Sequence, residues 1–335
     1  MGNSRLYHSG IPTFMRAPQR SLEDLQPGAL ALVGVPYDYA CGSRPGARWG
    51  PQAIRQSSLY FDHFLISESD QNFIDISTGK EFCLKGDIQV VDLGDVELFP
   101  MDVERTMETI SGFIQQVVDK GAIPIVLGGD HFITYPTFCG YGKGISIAQG
   151  LRRENIGYIH VDSHLDMYDE HPSWGKLYHS STVRRIAESG LLDPSNMILI
   201  GVHGLVEKEI YEFLRKNRMK IITLDELSGK GFGPAVKKAM EELALTVESF
   251  YLSVDIDVVS AAFAPGVKHL GQAACCRRDT SIRSLRDLDK EDVGCLNRLS
   301  ARQSLIDYHP SFGGPAAFLK TSPPEGEVGS GSAIF

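Results

Sequence analysis

The chain has 335 residues, of which 42% are hydrophobic and 22% are charged, as in globular proteins that bury a substantial core. A net charge of −9 argues against nucleic acid as the main partner. The 6 cysteines show no Cys-x-x-Cys spacing, and a chain of this length needs no disulfide framework. We find neither an apolar signal core nor the roughly 20 apolar residues that cross a bilayer. We therefore expect a cytoplasmic protein that binds neither nucleic acid nor a membrane.

Apolar runs typical of strands alternate with helical patterns from residue 29 onward. Strands are predicted at 29–35, 88–93, 122–127, 156–161, 196–202, 220–224 and 250–256, and helices at 101–120, 181–189, 208–216 and 234–245. The near-continuous Val/Ile/Leu runs indicate strands that are buried on both faces. The pattern predicts an α/β fold, with a mostly parallel sheet covered by helices on both faces. No linker interrupts residues 1–266, so we expect them to form one domain.

Three short segments carry the residues that bind metals in proteins. They are Gly-Gly-Asp-His at 128–131, His-Val-Asp-Ser-His-Leu-Asp at 160–166 and Ser-Val-Asp-Ile-Asp at 253–257. Each follows or ends a predicted strand, and the carboxyl ends of parallel strands are where α/β proteins build their sites. Histidine and carboxylate side chains are suitable ligands for divalent cations, and the three segments carry enough of them to bind two. The segments therefore predict a binuclear metal enzyme.

The spacing within each segment supports this interpretation. Side chains two residues apart share a face of a strand, so Asp255 and Asp257 point the same way, as do Asp162 and His164. Two metals about 3.5–4 Å apart need bridging carboxylates, and Asp162 and Asp255 are the natural bridges because each is the first acid of its segment. A single Asp-x-Asp at a strand end is often only a turn former. Three such segments together make that explanation improbable.

The same segments match a known family. The chain resembles the ureohydrolases, the superfamily of arginases, agmatinases and guanidino-acid hydrolases, and its agmatinase-like branch in particular. The branch signatures GGDH, H-x-D-[AS]-H-x-D and S-x-D-x-D stand at 128–131, 160–166 and 253–257. Further matches are Pro-Tyr-Asp at 36–38, Ser-Arg-Pro-Gly-Ala-Arg-Trp-Gly-Pro at 43–51, Asp-Leu-Gly-Asp at 92–95 and Ala-Pro-Gly at 264–266. The resemblance covers roughly residues 10–266.

This resemblance implies a single three-layer α/β/α domain that binds two Mn²⁺ ions and hydrolyses a guanidino group to urea and an amine. It further implies a small-molecule guanidino substrate and a homo-oligomer, either a trimer or a hexamer. The family's ligand sets, carried over to this sequence, are His131, Asp162, Asp166 and Asp255 for one ion, and Asp162, His164, Asp255 and Asp257 for the other.

The chemistry needs a strong nucleophile and an acid. Guanidinium is a poor electrophile, and two metals supply hydroxide near neutral pH because they depress the pKa of a water. The departing amine needs a proton. By resemblance His179 is the candidate proton shuttle, and Asp257 is expected to stabilise the tetrahedral intermediate. Ser180 replaces a family glycine, which would alter the backbone if that position needs a positive φ.

Other polar and aromatic side chains have weaker claims to a role. His203 stands where the family often has arginine, and either lines the site mouth or caps a strand. An arginine in a Gly/Pro loop usually ties down backbone or carboxylate oxygens, so we expect structural roles for Arg44 and Arg48. Packing is the expected role of three aromatic residues, with substrate contact as the alternative: Tyr37, Tyr168 and Trp174.

After Gly266 the resemblance ends. The family continues with a T-x-T-P-E-x-x-G-L segment and later has a strand with an E-V-x-P motif whose carboxylate binds the guanidinium. We find neither, and we expect no clear strand after this point. We interpret 267–320 as an aberrant continuation of the domain and 321–335 as a disordered tail. Our hypothesis is that the chain from about residue 267 is out of frame. The coding DNA tests this hypothesis, because a shifted reading frame should restore a tail that resembles the family. Loss of the last strands would leave part of the sheet exposed.

A cationic guanidinium needs a fixed carboxylate opposite it. The acids available in the tail are Asp287, Asp289, Glu291 and Asp307. Our first interpretation is an agmatinase that releases putrescine and urea. One alternative is a hydrolase of a guanidino acid such as 4-guanidinobutyrate or 3-guanidinopropionate. Another is a catalytically impaired, metal-binding homologue that acts as a regulatory subunit, and a weaker one is a hydrolase on the related deacetylase-like fold.

Overall fold

Ten strands are present in the computed structural model, which describes residues 10–42, 44–61, 73–74, 76, 79, 81–82, 89–227, 232–259, 264, 266 and 305–309. The strands are β1 Leu30–Gly34, β2 Phe73–Ile74, β3 Glu81–Phe82, β4 Val90–Asp95, β5 Ile123–Leu127, β6 Ile156–Val161, β7 Met197–Val202, β8 Lys220–Thr223, β9 Ser249–Asp255 and β10 Leu305–His309. The β2 and β3 strands form a separate antiparallel pair.

The other eight strands form one sheet in the order β4-β1-β5-β10-β9-β6-β7-β8. Every neighbouring pair in it is parallel. The α/β fold with a parallel sheet is therefore confirmed, and the strands predicted from apolar runs lie within a residue or two of their predicted bounds.

The expectation that no strand returns after Gly266 is wrong. Strand β10 lies in the middle of the sheet, where Ile306 is in register with Ile125 on one side and Leu252 on the other. The sequence Leu-Ile-Asp-Tyr-His is short and carries an acid at its centre, so no apolar period distinguished it from the charged stretch that precedes it. The expected tail at 321–335 and most of 267–320 lie outside the described residues.

The described helices are α1 Gly50–Ser58, α2 Val103–Asp119, α3 Thr134–Gln149, α4 Thr182–Glu188, α5 Lys208–Lys216, α6 Leu224–Leu227 and α7 Phe232–Ala244. Helix α2 begins because the Asp102 carboxylate accepts the N–H of Arg105 at 3.0 Å, an N-cap. Its apolar stripe of Ile110, Ile114 and Val117 is fully buried. No helix among the described residues is long and apolar enough to span a membrane.

Helices cover both faces of the sheet. Tyr158 on β6 packs into one buried cluster with the stripe of α2. Its neighbour Ile159 packs into a second cluster, with Val236 and Met240 of α7. Successive strand residues point to opposite faces, so the two clusters are the two cores of a three-layer α/β/α architecture.

Helix α3 was not predicted, and its glycines explain why. Gly140, Gly142 and Gly144 follow each other at alternate positions, and glycine disfavours a helix interior. In the structure α3 packs against α2 so closely that a Cβ on Gly140 would lie 2.3 Å from the Ser111 carbonyl oxygen. The glycines therefore allow close helix–helix contact, which a propensity argument cannot anticipate.

Candidate metal centre

The three polar segments meet at one edge of the sheet. Strands β5, β6 and β9 run parallel within this sheet, so their carboxyl ends lie at the same edge. His131 begins the 3-10 turn His131–Ile133 after β5, Asp162 directly follows β6, and Asp255 is the last residue of β9. The turn Ile256–Val258 then carries Asp257.

One group of ligand atoms surrounds His131. Its Nδ1 lies 2.7 Å from Asp166 Oδ2, 3.0 Å from Asp162 Oδ2 and 3.6 Å from Asp255 Oδ2. These four residues are those that the resemblance assigned to one metal. All four are nearly enclosed by protein, so the atoms converge on a small space that a single cation would fill.

A second group surrounds His164. Its Nδ1 lies 3.0 Å from Asp257 Oδ2 and 3.4 Å from Asp162 Oδ1. Asp162 thus turns one oxygen towards each histidine, the arrangement of a bridging carboxylate. The oxygen Oδ1 of Asp255 accepts the N–H of Asp257 at 2.9 Å. The structure therefore brings together all six predicted ligands, with Asp162 placed between the two groups.

The charge balance of these residues fits divalent cations. Burial, together with the charges of Asp257 and Asp162, raises the pKa of Asp255 well above its usual value. Burial and the charge of Asp162 likewise raise the pKa of Asp257 to about 6. Buried carboxylates this close repel one another unless a cation lies between them. A set of oxygen and imidazole ligands suits Mn²⁺ and similar ions.

A second layer of polar groups surrounds the ligands. Ser253 Oγ lies 3.3 Å from His131 Nε2, which leaves Nδ1 as the nitrogen that faces the carboxylates. Ser163 donates its hydroxyl to Asp257 Oδ1 at 2.8 Å. His160 is fully buried and stacks on His131 with ring centroids 5.1 Å apart. Such partners orient metal ligands in proteins.

His160 was not predicted as a site residue. It belongs to the motif at 160–166, but it lies within β6, where a histidine cannot be told from an ordinary core residue by pattern alone. Burial lowers its pKa, so it is neutral at physiological pH. Its position two residues before Asp162, on the same face of the strand, was the available signal.

The six predicted ligands line the floor of a cavity of 530 Å³. Cys41, Arg44 and Tyr168 line its walls, together with His179 and Ser180. This size is typical of a small-molecule site.

His179, the predicted proton shuttle, lines the cavity. Its Nδ1 lies 2.7 Å from the Ala40 carbonyl oxygen, which only accepts hydrogen bonds, so Nδ1 carries the hydrogen. Nε2 is then the nitrogen that exchanges a proton. Ser180 lies in the 3-10 turn His179–Ser181 and is not among the described non-glycine residues with positive φ. Its side chain therefore imposes no backbone strain there.

Three of the six weaker candidates have structural contacts. Arg48 pairs with Asp38, as expected for a loop arginine. Tyr37 is buried against Phe132, and Trp174 packs on a histidine ring outside the cavity.

Three other candidates lie at or near the site. The N–H of His203 donates to the Ser163 carbonyl at 3.2 Å, so the backbone of His203 supports the turn that follows β6. Arg44 and Tyr168 line the cavity, and the Tyr168 hydroxyl donates to Glu207 at 3.0 Å.

Comparisons with known proteins agree on one family. Residues 29–272 match the family model described as Arginase family. Guanidinopropionase of Pseudomonas aeruginosa is 32% identical over 84% of this chain and 81% of its own length. Mitochondrial agmatinase of Gallus gallus is 31% identical over 77% of this chain and 68% of its own. The structure of proclavaminate amidinohydrolase from Streptomyces clavuligerus superposes with a TM-score of 0.66 at 26% identity, covering 92% of this chain and 91% of that one.

Proposed function

Because the chain belongs to the arginase family, whose members hydrolyse guanidino compounds, we propose that it is a binuclear manganese hydrolase that releases urea, with agmatine as the first candidate substrate. The observation that carries this proposal is the convergence of two histidines and four aspartates at the floor of one cavity. Hard nitrogen and oxygen ligands in this number suit two divalent cations.

The residues divide into two ion sites. His131 and Asp166 would hold one ion, and His164 and Asp257 the other. Asp162 and Asp255 would reach both. When bound, the two ions would lower the pKa of a water and so supply hydroxide near neutral pH. The proposed ligands other than His164 are almost entirely buried, so the protein encloses the two ion sites at the floor of the cavity.

His179 is the proposed proton donor. The carbonyl of Ala40 fixes its tautomer, so Nε2 takes up a proton and delivers it to the departing amine nitrogen. A positioned histidine of this kind contributes about 10²–10⁴-fold in rate. Since the Ser180 backbone is unstrained, the replacement of the family glycine gives no support to the alternative of an impaired regulatory homologue.

The guanidinium needs a carboxylate that fixes its orientation. Of the acids considered in the tail, Asp307 alone lies within the described residues, in register with Val126 and with Ser253. It stands three residues before Pro310, the spacing of the family's E-V-x-P motif, with aspartate in place of glutamate. We propose Asp307 for this role, which its position beside the metal-bearing strand β9 supports.

The substrate tail has two candidates. Agmatine ends in an ammonium group, which the Glu207 carboxylate beside Tyr168 would attract. A guanidino acid ends in a carboxylate, for which Arg44 on the cavity wall is the complementary charge. Both features lie at or next to the walls, so we keep 4-guanidinobutyrate and 3-guanidinopropionate as the second candidate function.

Urea release tests these assignments. The full-length chain, loaded with Mn²⁺, is incubated with agmatine, 4-guanidinobutyrate, 3-guanidinopropionate and arginine, and urea is measured. We expect release from agmatine, and release from a guanidino acid alone would select the second candidate. If no substrate yields urea while two equivalents of metal are bound, the proposal is wrong.

A further inference from the structure

The turn that carries His164 and Asp166 is held by its carbonyl groups. The Ser163 carbonyl accepts the N–H of His203 at 3.2 Å, and the Asp166 carbonyl accepts the N–H of Val183 at 3.0 Å. The His164 carbonyl lies 3.1 Å from Nε2 of His160. This last carbonyl is therefore held by a side chain, which comes from inside β6. Asp166 itself has a positive φ of 47°, a conformation that non-glycine residues adopt only when neighbouring contacts enforce it.

The contacts of His160 fix its tautomer. A carbonyl oxygen has no hydrogen to donate, so Nε2 must carry the hydrogen in its contact with His164. Nδ1 is then an acceptor, and the Tyr158 hydroxyl lies 3.4 Å from it. Both ring nitrogens are thus engaged within the protein.

His160 also touches the other half of the site. Its ring stacks on that of His131 with an interplanar angle of 8°, and its Nε2 lies 3.4 Å from Asp162 Oδ2. Stacking involves the face of the ring, whereas the contact with His164 involves the N–H at its edge. The two contacts can therefore be removed separately by substitution.

We propose that His160 is a positioning residue, which through its Nε2–H holds the His164 turn in the geometry that the second ion requires. This inference rests on the proposed two-metal centre. Although His160 clusters with His131 and Asp162 as a potential ligand, the structure assigns it no direct role in binding metal, because its edge nitrogens already have protein partners. A polar partner behind a metal ligand typically changes metal affinity by about 10–100-fold.

Metal titration of the apoprotein tests this assignment. Isothermal titration with Mn²⁺ is performed on the wild type, His160→Phe and His160→Gln. Phenylalanine keeps a ring against His131 but has no N–H, so we expect one of the two ions to bind about 10–100-fold more weakly and the other within about twofold of the wild type. Glutamine places an amide N–H near the former Nε2 position, so we expect it to restore affinity for the weakened ion.

Tyr251→Phe is the matched control. Tyr251 is fully buried on the neighbouring strand β9, and its hydroxyl bonds Thr137 at 2.6 Å. Its loss removes a hydrogen bond from the same core and keeps the contact between His160 and the His164 carbonyl, so both ions should bind as in the wild type. The thermal midpoint of each apoprotein shows whether it is folded.

Several outcomes would overturn the proposal. They are wild-type affinity for both ions in His160→Phe, equal weakening of both ions, or no recovery in His160→Gln. If His160→Phe does not fold, His160→Gln and His160→Asn decide. The His160→Gln protein should then bind the second ion at least about tenfold more tightly than the His160→Asn protein, because the shorter asparagine side chain does not reach His164. Equal affinities of the two variants would overturn the proposal. A wild type that binds fewer than two ions would instead contradict the proposed function itself.

Discussion

At the scale of single residues, Asp162 and His179 occupy different parts of the candidate site. The two oxygens of Asp162 face different histidines, which ties the two ligand groups together. His179 stands on the cavity wall, outside the ligand groups. Substitutions at the two positions should therefore differ in their effect on metal content.

We expect His179→Asn to lower kcat by about 10²–10⁴-fold while the metal content stays at the wild-type value. Asparagine still donates to the Ala40 carbonyl but has no nitrogen that exchanges a proton at neutral pH. Steady-state urea release and metal analysis check both parts. His171→Asn is the matched control in the same loop, since His171 accepts the N–H of Ser173 at 3.0 Å and an asparagine oxygen can replace it. An equal fall in kcat for both variants would contradict a specific role for His179.

The candidate site residues that could be predicted from the sequence are those with local signals. The six predicted metal ligands lie in three short motifs at strand ends, but the period of a strand does not set their directions, because Asp162 and Asp257 lie in the turns that follow β6 and β9. His160 could not be assigned a role in this way. Its stacking contact joins it to His131, which lies in another segment, and its contact with the His164 carbonyl involves a backbone atom that does not depend on the side chain at that position.

At the scale of elements, the turn after β5 depends on close contact with the segment after β1. The N–H of Asp130 donates to the Tyr37 carbonyl at 2.7 Å. A Cβ on Gly129 would lie 1.8 Å from that same carbonyl oxygen, so the residue that precedes Asp130 and His131 must be glycine. The position of His131 is thus set by backbone contact between two connecting segments.

We expect Gly129→Ala to lower the free energy of unfolding by about 1–3 kcal/mol and to weaken Mn²⁺ binding, because the turn must move to relieve the clash. Gly112→Ala is the matched control in helix α2, where an added Cβ meets nothing within 4 Å. It should raise stability by about 0.5–1 kcal/mol. Denaturant unfolding and metal titration measure both effects. Wild-type metal affinity in Gly129→Ala would disprove the link.

Elements with a clear apolar period were predicted well, and those formed by long-range contact were not. Helix α5 was predicted with its observed bounds, Lys208–Lys216. Helix α3 was missed because its glycines serve packing against α2, and β10 because it is short and follows a long polar stretch. In both cases the stabilising partners lie far away in the sequence.

At the scale of the whole molecule, β10 joins two halves of the sheet. Strands β4, β1 and β5 lie on one side of it, and β9, β6, β7 and β8 on the other. His131 follows β5 in the first half, whereas the other predicted ligands follow β6 and β9 in the second. Since neighbouring strands lie about 4.8 Å apart, β10 holds the ends of β5 and β9 about 10 Å apart. The geometry of the candidate metal centre therefore depends on a segment beyond residues 29–272, which match the family model.

We expect Ile306→Pro to destabilise the domain by about 3 kcal/mol or more and to abolish the binding of both metal ions. Proline cannot donate to the ladder of a central strand, and Ile306 pairs on both sides. Ile74→Pro is the matched control, because Ile74 is exposed and lies in the separate pair of β2 and β3. Thermal unfolding and metal titration of the full chain compare the two.

Wild-type stability in Ile306→Pro would show that residues 305–309 do not complete the sheet. That result would leave the two halves without a connecting strand and would favour the hypothesis that the chain from about residue 267 is out of frame. Loss of stability and of metal binding in Ile306→Pro, with wild-type behaviour in Ile74→Pro, would instead show that the tail contributes to the site, whether or not it is out of frame. Sequencing the coding DNA then decides whether a shifted frame restores a tail that resembles the family.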